Sequence, residues 1–135
     1  MDFLARREHS RLELEHKLAR RGYASDEIAA ELDRLADEHL LSDQRFAESF
    51  ASQRAENGFG AMKIRHELQQ RGVDESLIEA ALAPWQEEWL TRARAQREKH
   101  FGAWPEDYKS RARQSRYLQQ RGYDFETINR IFSDD

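Results

Sequence analysis

The chain has 135 residues, 36% charged and 39% apolar, with a formal net charge of −4, a balance that suits one ordinary domain or several small ones and excludes a single large core. It contains no cysteine, which excludes disulfides, thiol nucleophiles and thiolate metal sites and fits a reducing compartment. No apolar run approaches the roughly 18 residues that cross a bilayer, and the first residues, MDFLARREHS, lack the apolar core of a signal peptide, so a cytoplasmic location is expected.

Taken in chain order, DFLARREH predicts a short opening helix, with Ser10 as the cap of the next one. Leu14 and Leu18 are four apart, the helical spacing, and that helix stops at LARRG, Leu18 to Gly22. A second helix carries Ile28 and Leu32, with Ser25 as its expected cap. The stretch DQRFAESFASQRAENG predicts a third, capped by Ser42 or Asp43, with Phe46 and Phe50 four apart and Gly58 as its stop. The pattern then returns at a shift of 50 residues: Leu14 falls on Ile64, Leu18 on Leu68 and Leu118, Arg21 on Arg71 and Arg121, Tyr23 on Val73 and Tyr123, Ile28 on Ile78 and Ile128, and Leu32 on Leu82 and Phe132. LQQRG occurs at Leu68 to Gly72 and again at Leu118 to Gly122. Pro84 ends one helix, Trp85 and Trp89 open a long one that runs to about Phe101, and Gly102 and Pro105 end that.

The shared pentapeptide reads as a joint between helices. Basic residues favour the negative end of the helix dipole, Gly22, Gly72 and Gly122 accept the left-handed conformation after the last turn, and the apolar residue that follows folds back. Asp74 and Asp124 stand where the next helix needs a cap. The expected fold is all-α, a tandem repeat of three three-helix units in an elongated, curved array. Nine helices are predicted, in units 1–40, 41–83 and 84–135.

A search for chemistry finds little. The five histidines, 9, 16, 39, 66 and 100, form no HExxH pair and have no cysteine beside them, and the acidic residues alternate with Lys and Arg as on a solvated helix face. Gly58, Gly60 and Lys63 resemble a phosphate loop only loosely; a helix stop followed by a tight entry into the next helix is the better reading. No catalytic, metal or cofactor residue is assigned.

Charge is unevenly distributed. Residues 1–58, 59–88 and 122–135 carry net charges of −4, −3 and −3, whereas residues 89–121 carry +6. Within that basic segment, Lys109, Arg113 and Arg116 share a helix face directed away from Leu118, with Arg111 on the same helix. Arg92, Arg94, Arg97 and Lys99 crowd the preceding helix, and Trp104 and Tyr108 lie between the two groups. These eight cations are the expected contact surface for phosphates or an acidic partner.

Four stretches, LARREHSRLEL (Leu4 to Leu14), LSDQRFAESF (Leu41 to Phe50), GFGAMKIRHELQQRG (Gly58 to Gly72) and YLQQRGYDFETINRIF (Tyr117 to Phe132), together make the chain resemble the RecX family over nearly its whole length. The resemblance implies a bacterial regulator that is no enzyme, binds the helical groove of a RecA filament on single-stranded DNA, and restrains its ATPase, strand-exchange and coprotease activities. Partners implied are the recombinase filament and its single-stranded DNA, with weak binding to free DNA; no membrane partner and a monomeric state are expected. The competing reading is a stand-alone DNA-binding helical module, disfavoured by the acidic sum and by the lack of a basic recognition helix in each repeat.

Overall fold

The four-residue spacing of apolar side chains produces helices throughout. The computed structural model describes residues 7–133, and among them are eight α-helices and no strand: α1 (Arg11–Arg20), α2 (Ser25–Asp37), α3 (Asp43–Glu56), α4 (Ala61–Gln70), α5 (Glu75–Leu82), α6 (Trp89–Phe101), α7 (Tyr108–Gln120) and α8 (Phe125–Ser133). A single 3-10 turn, Ala83–Trp85, holds Pro84 between α5 and α6. The expected opening helix, 2–9, falls mostly on residues 1–6, outside the described ones; residues 7–9 are not helical.

The period of 50 is kept by the backbone: α1 and α4 begin at 11 and 61, and α2, α5 and α8 begin at 25, 75 and 125. The third repeat departs from it. α7 begins at Tyr108, three residues before the place the period gives, because Asp107 caps it: Asp107 Oδ1 accepts from the Ser110 amide at 2.8 Å and the Asp107 amide donates to Ser110 Oγ at 3.3 Å. At α1, Ser10 Oγ accepts from the Glu13 amide and Glu13 Oε1 from the Ser10 amide, both at 3.1 Å, a complete capping box. Ser42 Oγ likewise accepts from the Arg45 amide at 3.1 Å. For α2 the cap position is Ala24, in register with Asp74 and Asp124, and Ser25 is the first helical residue. The Glu27 carboxylate reaches back to the Ala24 amide at 3.0 Å, so the helix starts in register without a side-chain cap from Ser25.

Of the aligned apolar positions, Leu14, Leu18, Ile28, Leu32, Ile64, Leu68, Ile78, Leu82, Leu118, Ile128 and Phe132 are buried, as are Val73 and Tyr123, whereas Tyr23, their counterpart in the first repeat, is 54% exposed. Packing groups the chain into two compact units, 1–50 with 67–81 and 51–66 with 82–135, so the three divisions fall within α3, within α4 and at the last residue of α5. In the first unit Leu14, Leu18, Ile28, Leu32, Leu35 and Leu41 form one cluster. In the second, Ala93, Leu118, Tyr123, Ile128, Ile131 and Phe132 form another, with Trp89, Leu90 and Tyr117 against it. Each large aliphatic side chain so buried contributes about 1.5–3 kcal/mol.

The three joints share one backbone geometry. Gly22, Gly72 and Gly122 have φ of 91°, 75° and 103°. The amides of Tyr23, Val73 and Tyr123 donate back to the carbonyls of Leu18, Leu68 and Leu118 at 3.2, 3.1 and 3.1 Å, and the glycine amides to Ala19, Gln69 and Gln119 at 3.0 Å each, which is the Schellman arrangement. What covers them differs. In the first unit the Leu12 side chain lies 2.8 Å from where a Cβ on Gly72 would be, and Arg71 Nε is 3.7 Å from Glu13 Oε2. In the second unit the entry to α4 covers Gly122: the Gly60 amide donates to the Arg121 carbonyl at 2.8 Å and the Met62 amide to the Gly122 carbonyl at 2.9 Å. A Cβ on Gly60 would stand 2.5 Å from the Gly122 carbonyl carbon, so no side chain fits there. Among the described residues, nothing lies within 4 Å of a Cβ built on Gly22.

Candidate partner and nucleic-acid interface

The basic segment occupies α6, α7 and the turn between them, all in the second unit. On α7, Leu118 is fully buried, and Lys109, Arg113 and Arg116 are all exposed. Arg111 is exposed as well, with its guanidinium 5.3 Å from the centre of the Phe132 ring. It shares a groove of about 350 Å³ with Trp104, Pro105, Glu106, Asp107, Tyr108 and Phe132. Tyr108 is 87% exposed and Trp104 50%, so two aromatic faces stand beside the cations. The backbone amide and then the hydroxyl of Ser110 hold Asp107 below the usual carboxylate range, which keeps one negative charge at this edge.

On α6 the four cations have separate fates. Arg94 and Lys99 are exposed. Arg92 is half-buried, bonded to Glu88 Oε1 at 3.1 Å and stacked 4.7 Å over Trp85. Arg97 is 8% exposed: Nη1 donates to the Ala103 carbonyl and to Gln114 Oε1, each at 3.1 Å, and the guanidinium lies 4.8 Å over Trp104. Gln114 Nε2 also donates to the Ala103 carbonyl, at 3.2 Å. Arg97 therefore ties the turn after α6 to α7, and the expectation that it lies on the contact surface is corrected by its burial and its internal partners.

A second group of cations has no counterpart in the sequence reading. The Phe59 ring is approached by Arg121 at 4.0 Å and by Arg54 and Lys63 at 5.4 Å each. Arg121 is held there by two carbonyls, with Nε to Gly58 O at 3.2 Å and Nη2 to Asn57 O at 2.5 Å. The Tyr123 hydroxyl donates to the same Gly58 carbonyl at 2.9 Å, and burial pushes its pKa up to about 12. A sequence signal existed in Arg54, Phe59 and Lys63, spaced five and four apart, but the surrounding acidic residues masked it. The loosely phosphate-loop-like stretch is a helix stop and tight entry: Gly58 has φ 90°, and the Gly60 and Met62 amides are committed to carbonyls of the third joint.

Of the histidines, His9 is buried and His16 and His66, one period apart, are both exposed. His100 stacks on Tyr117 with ring centres 3.8 Å apart. Among the described residues no group of three or more His, Asp or Glu could hold a metal ion, and no helix is long and apolar enough to cross a membrane.

Comparison with known proteins places these helices. Family models described as the first, second and third three-helix domains of RecX match residues 1–35, 42–82 and 86–132. The chain belongs to the RecX family. The regulatory protein RecX of Pseudomonas fluorescens Pf-5 is 47% identical over 134 residues, covering 98% of this chain and 86% of that protein. RecX of Pseudomonas savastanoi pv. phaseolicola 1448A is 47% identical over the same shares. In fold, the crystal structure of RecX from Lactobacillus salivarius is similar with a TM-score of 0.84 at 22% identity, covering 98% of this chain and 89% of that one. A second RecX crystal structure gives a TM-score of 0.85 at 20% identity, covering 98% of this chain and 68% of that one. RecX proteins carry the name of regulators, and a regulatory role follows for this chain.

Proposed function

We propose that this RecX protein regulates the RecA recombinase by binding its filament on single-stranded DNA and inhibiting ATP hydrolysis, strand exchange and coprotease activity, thereby modulating recombination, DNA repair and the damage response. It acts through binding and has no catalytic step of its own. The observation that carries the reading is the exposed face of α7 where Lys109, Arg113 and Arg116 stand together, with Arg111, Trp104 and Tyr108 around a separate groove beside Phe132, in a chain of otherwise acidic sum. Exposed cations neutralise phosphates and release counterions, and exposed aromatic faces stack on unpaired bases. The acidic first repeat is the part suited to a basic protein surface.

The test is to titrate the protein into RecA filaments on single-stranded DNA and follow ATP hydrolysis at several salt concentrations. Wild type inhibits at stoichiometric ratios. Lys109→Glu, Arg113→Glu and Arg116→Glu combined weaken inhibition and lower the salt slope by about 2, at roughly 0.7 for each lost single-strand phosphate contact. Absence of inhibition by the wild type would remove the recombinase reading; unchanged inhibition and slope in the variant would remove the assignment of the α7 face. Sequence-selective binding to bare duplex at physiological salt would instead favour the stand-alone DNA-binding module.

A further inference from the structure

The groove beside Phe132 has a chemistry of its own, distinct from the cation face. At about 100° per residue around α7, Arg111 lies opposite Lys109, Arg113 and Arg116, with Tyr108 between the two sides. The lining is aromatic: Trp104 is 50% and Tyr108 87% exposed, and the Phe132 ring lies 5.5 Å from that of Trp104. Arg97, buried and 4.8 Å over Trp104, fixes that ring and leaves half of its surface open. The charges are mixed, with Glu106 and Asp107 acidic and Arg111 basic. Asp107 is engaged in capping α7. The Glu106 carboxylate, the Arg111 guanidinium, the Trp104 ring N–H and the Tyr108 hydroxyl have no hydrogen-bond or ion-pair partner among the described residues.

We propose that this groove is a pocket for one unpaired base of the bound strand, and that it prefers guanine; the inference rests on the reading that the protein binds single-stranded DNA. The mixed charge decides among occupants. A free phosphate or an acidic peptide would meet two carboxylates against one guanidinium. An aliphatic side chain would displace water from Glu106 and Arg111 and give them no partner. A lysine or arginine of a partner protein would satisfy Glu106 but bring a second cation beside Arg111, which already lies over the Phe132 ring. A nucleotide brings a planar face for Trp104 and Tyr108, donors on the edge of its base for Glu106, and a phosphate for Arg111. The volume, about 350 Å³, is of the size that takes one such unit.

Glu106 sets the preference. A carboxylate has two acceptor oxygens and no donor. Guanine offers two adjacent donors, its ring N–H and its exocyclic amine, to match both oxygens. Adenine and cytosine offer one amine beside an acceptor nitrogen, and thymine one N–H flanked by two carbonyls that repel the carboxylate. A strand whose base enters the groove passes Tyr108 at the rim and reaches the exposed Lys109, Arg113 and Arg116 with its neighbouring phosphates.

The experiment titrates the full-length protein into end-labelled oligothymidylates of one length, with the central base left as thymine or replaced by guanine or hypoxanthine, and follows anisotropy. Guanine binds about tenfold more tightly than thymine, and hypoxanthine, which lacks only the exocyclic amine, about fivefold less tightly than guanine. Glu106→Ala makes guanine and hypoxanthine equal without weakening the all-thymine strand, and Tyr108→Ala weakens the guanine strand at least fivefold. Both residues are exposed, so both variants keep the fold. Absence of binding to every strand, equal affinity for guanine and hypoxanthine, a preference that survives Glu106→Ala, or guanine binding indifferent to Tyr108→Ala would overturn the pocket. Glu106→Ala that weakens filament inhibition and leaves the oligonucleotide affinities unchanged would overturn it in favour of a basic side chain of the recombinase. ATP hydrolysis separates the two readings: inhibition without a base preference removes the pocket alone, and a guanine preference without inhibition removes the filament reading alone.

Discussion

Arg71 and Arg121 hold the same place in two copies of one joint, and the structure uses them differently. Arg71 lies in the first compact unit, near Glu13, over the Phe50 ring at 4.8 Å, with Nη1 donating to the Glu67 carbonyl at 2.9 Å. Arg121 lies in the second unit, donates to two backbone carbonyls and packs on Phe59. Where Glu13 is offered to the second joint, Lys63 is offered to the third, and a cation cannot pair with a cation. The guanidinium therefore turns to carbonyl oxygens and the face of a ring. A repeat motif thus preserves its backbone geometry by local hydrogen bonds, while its side chains take partners from whichever segment covers it.

The glycines separate the joints most strongly. Gly122→Ala combines left-handed strain at φ 103° with a Cβ that would lie 2.8 Å from the Lys63 amide nitrogen, so a loss of about 3 kcal/mol or more is expected. Gly22→Ala incurs only the strain, about 1 kcal/mol, since among the described residues nothing lies within 4 Å of the added Cβ. Urea denaturation of the two variants measures the difference, and equal losses would mean that the cover on Gly122 contributes nothing.

The arginines come next. Arg121→Ala abandons two carbonyls and the Phe59 ring, at a cost of about 2 kcal/mol, whereas Arg71→Ala loses a partly exposed ion pair, a ring contact and one carbonyl bond, at about 1 kcal/mol. A Glu13→Gln exchange in both backgrounds sharpens this comparison: it couples to Arg71 and is additive with Arg121 in a double-mutant cycle.

The smallest difference concerns acid. Burial, followed by Arg7 and Lys17, lowers the pKa of His9 from its usual 6.5, against weaker opposition from Glu13 and the Arg7 carbonyl. The folded protein thus holds the neutral ring, and the unfolded chain binds the proton first. Stability is complete above about pH 6.5 and declines as pH falls below it. Between pH 7.5 and 5.5 the urea midpoint of the wild type should fall further than that of His9→Gln, with amide exchange of Leu14 and Leu18 in the first unit accelerating before that of Leu118 and Ile128.

The apolar register was legible in the sequence because it depends on a local period. Leu14, Ile64 and Leu118 could be assigned to the interior from spacing alone, and their burial agrees. Local chemistry was partly legible: the Ser10 cap and the glycine joints have the hydrogen bonds their residue types suggest, whereas the α2 cap lies at Ala24, whose amide donates to the Glu27 carboxylate, and Ser25 is the first helical residue. The early start of α7 was hidden because Asp107 is one acid among 26 Asp and Glu, and only the backbone shows that it caps.

The candidate surface divides along the same line. Exposure of Lys109, Arg113 and Arg116 followed from helical geometry relative to Leu118, a property of one helix. Burial of Arg97 did not, since it depends on Trp104 and Gln114 converging from a turn and another helix. The Phe59 group was further out of reach, since Arg121 joins it from the far end of the sequence. By itself the sequence determined the helices, their period, the joints and the sign of the charge on each segment, because each arises between residues within a few turns of one another. Tertiary structure alone decided the burial of Arg97, the cations gathered on Phe59 and the cover over Gly72 and Gly122, because those depend on surfaces brought together by folding.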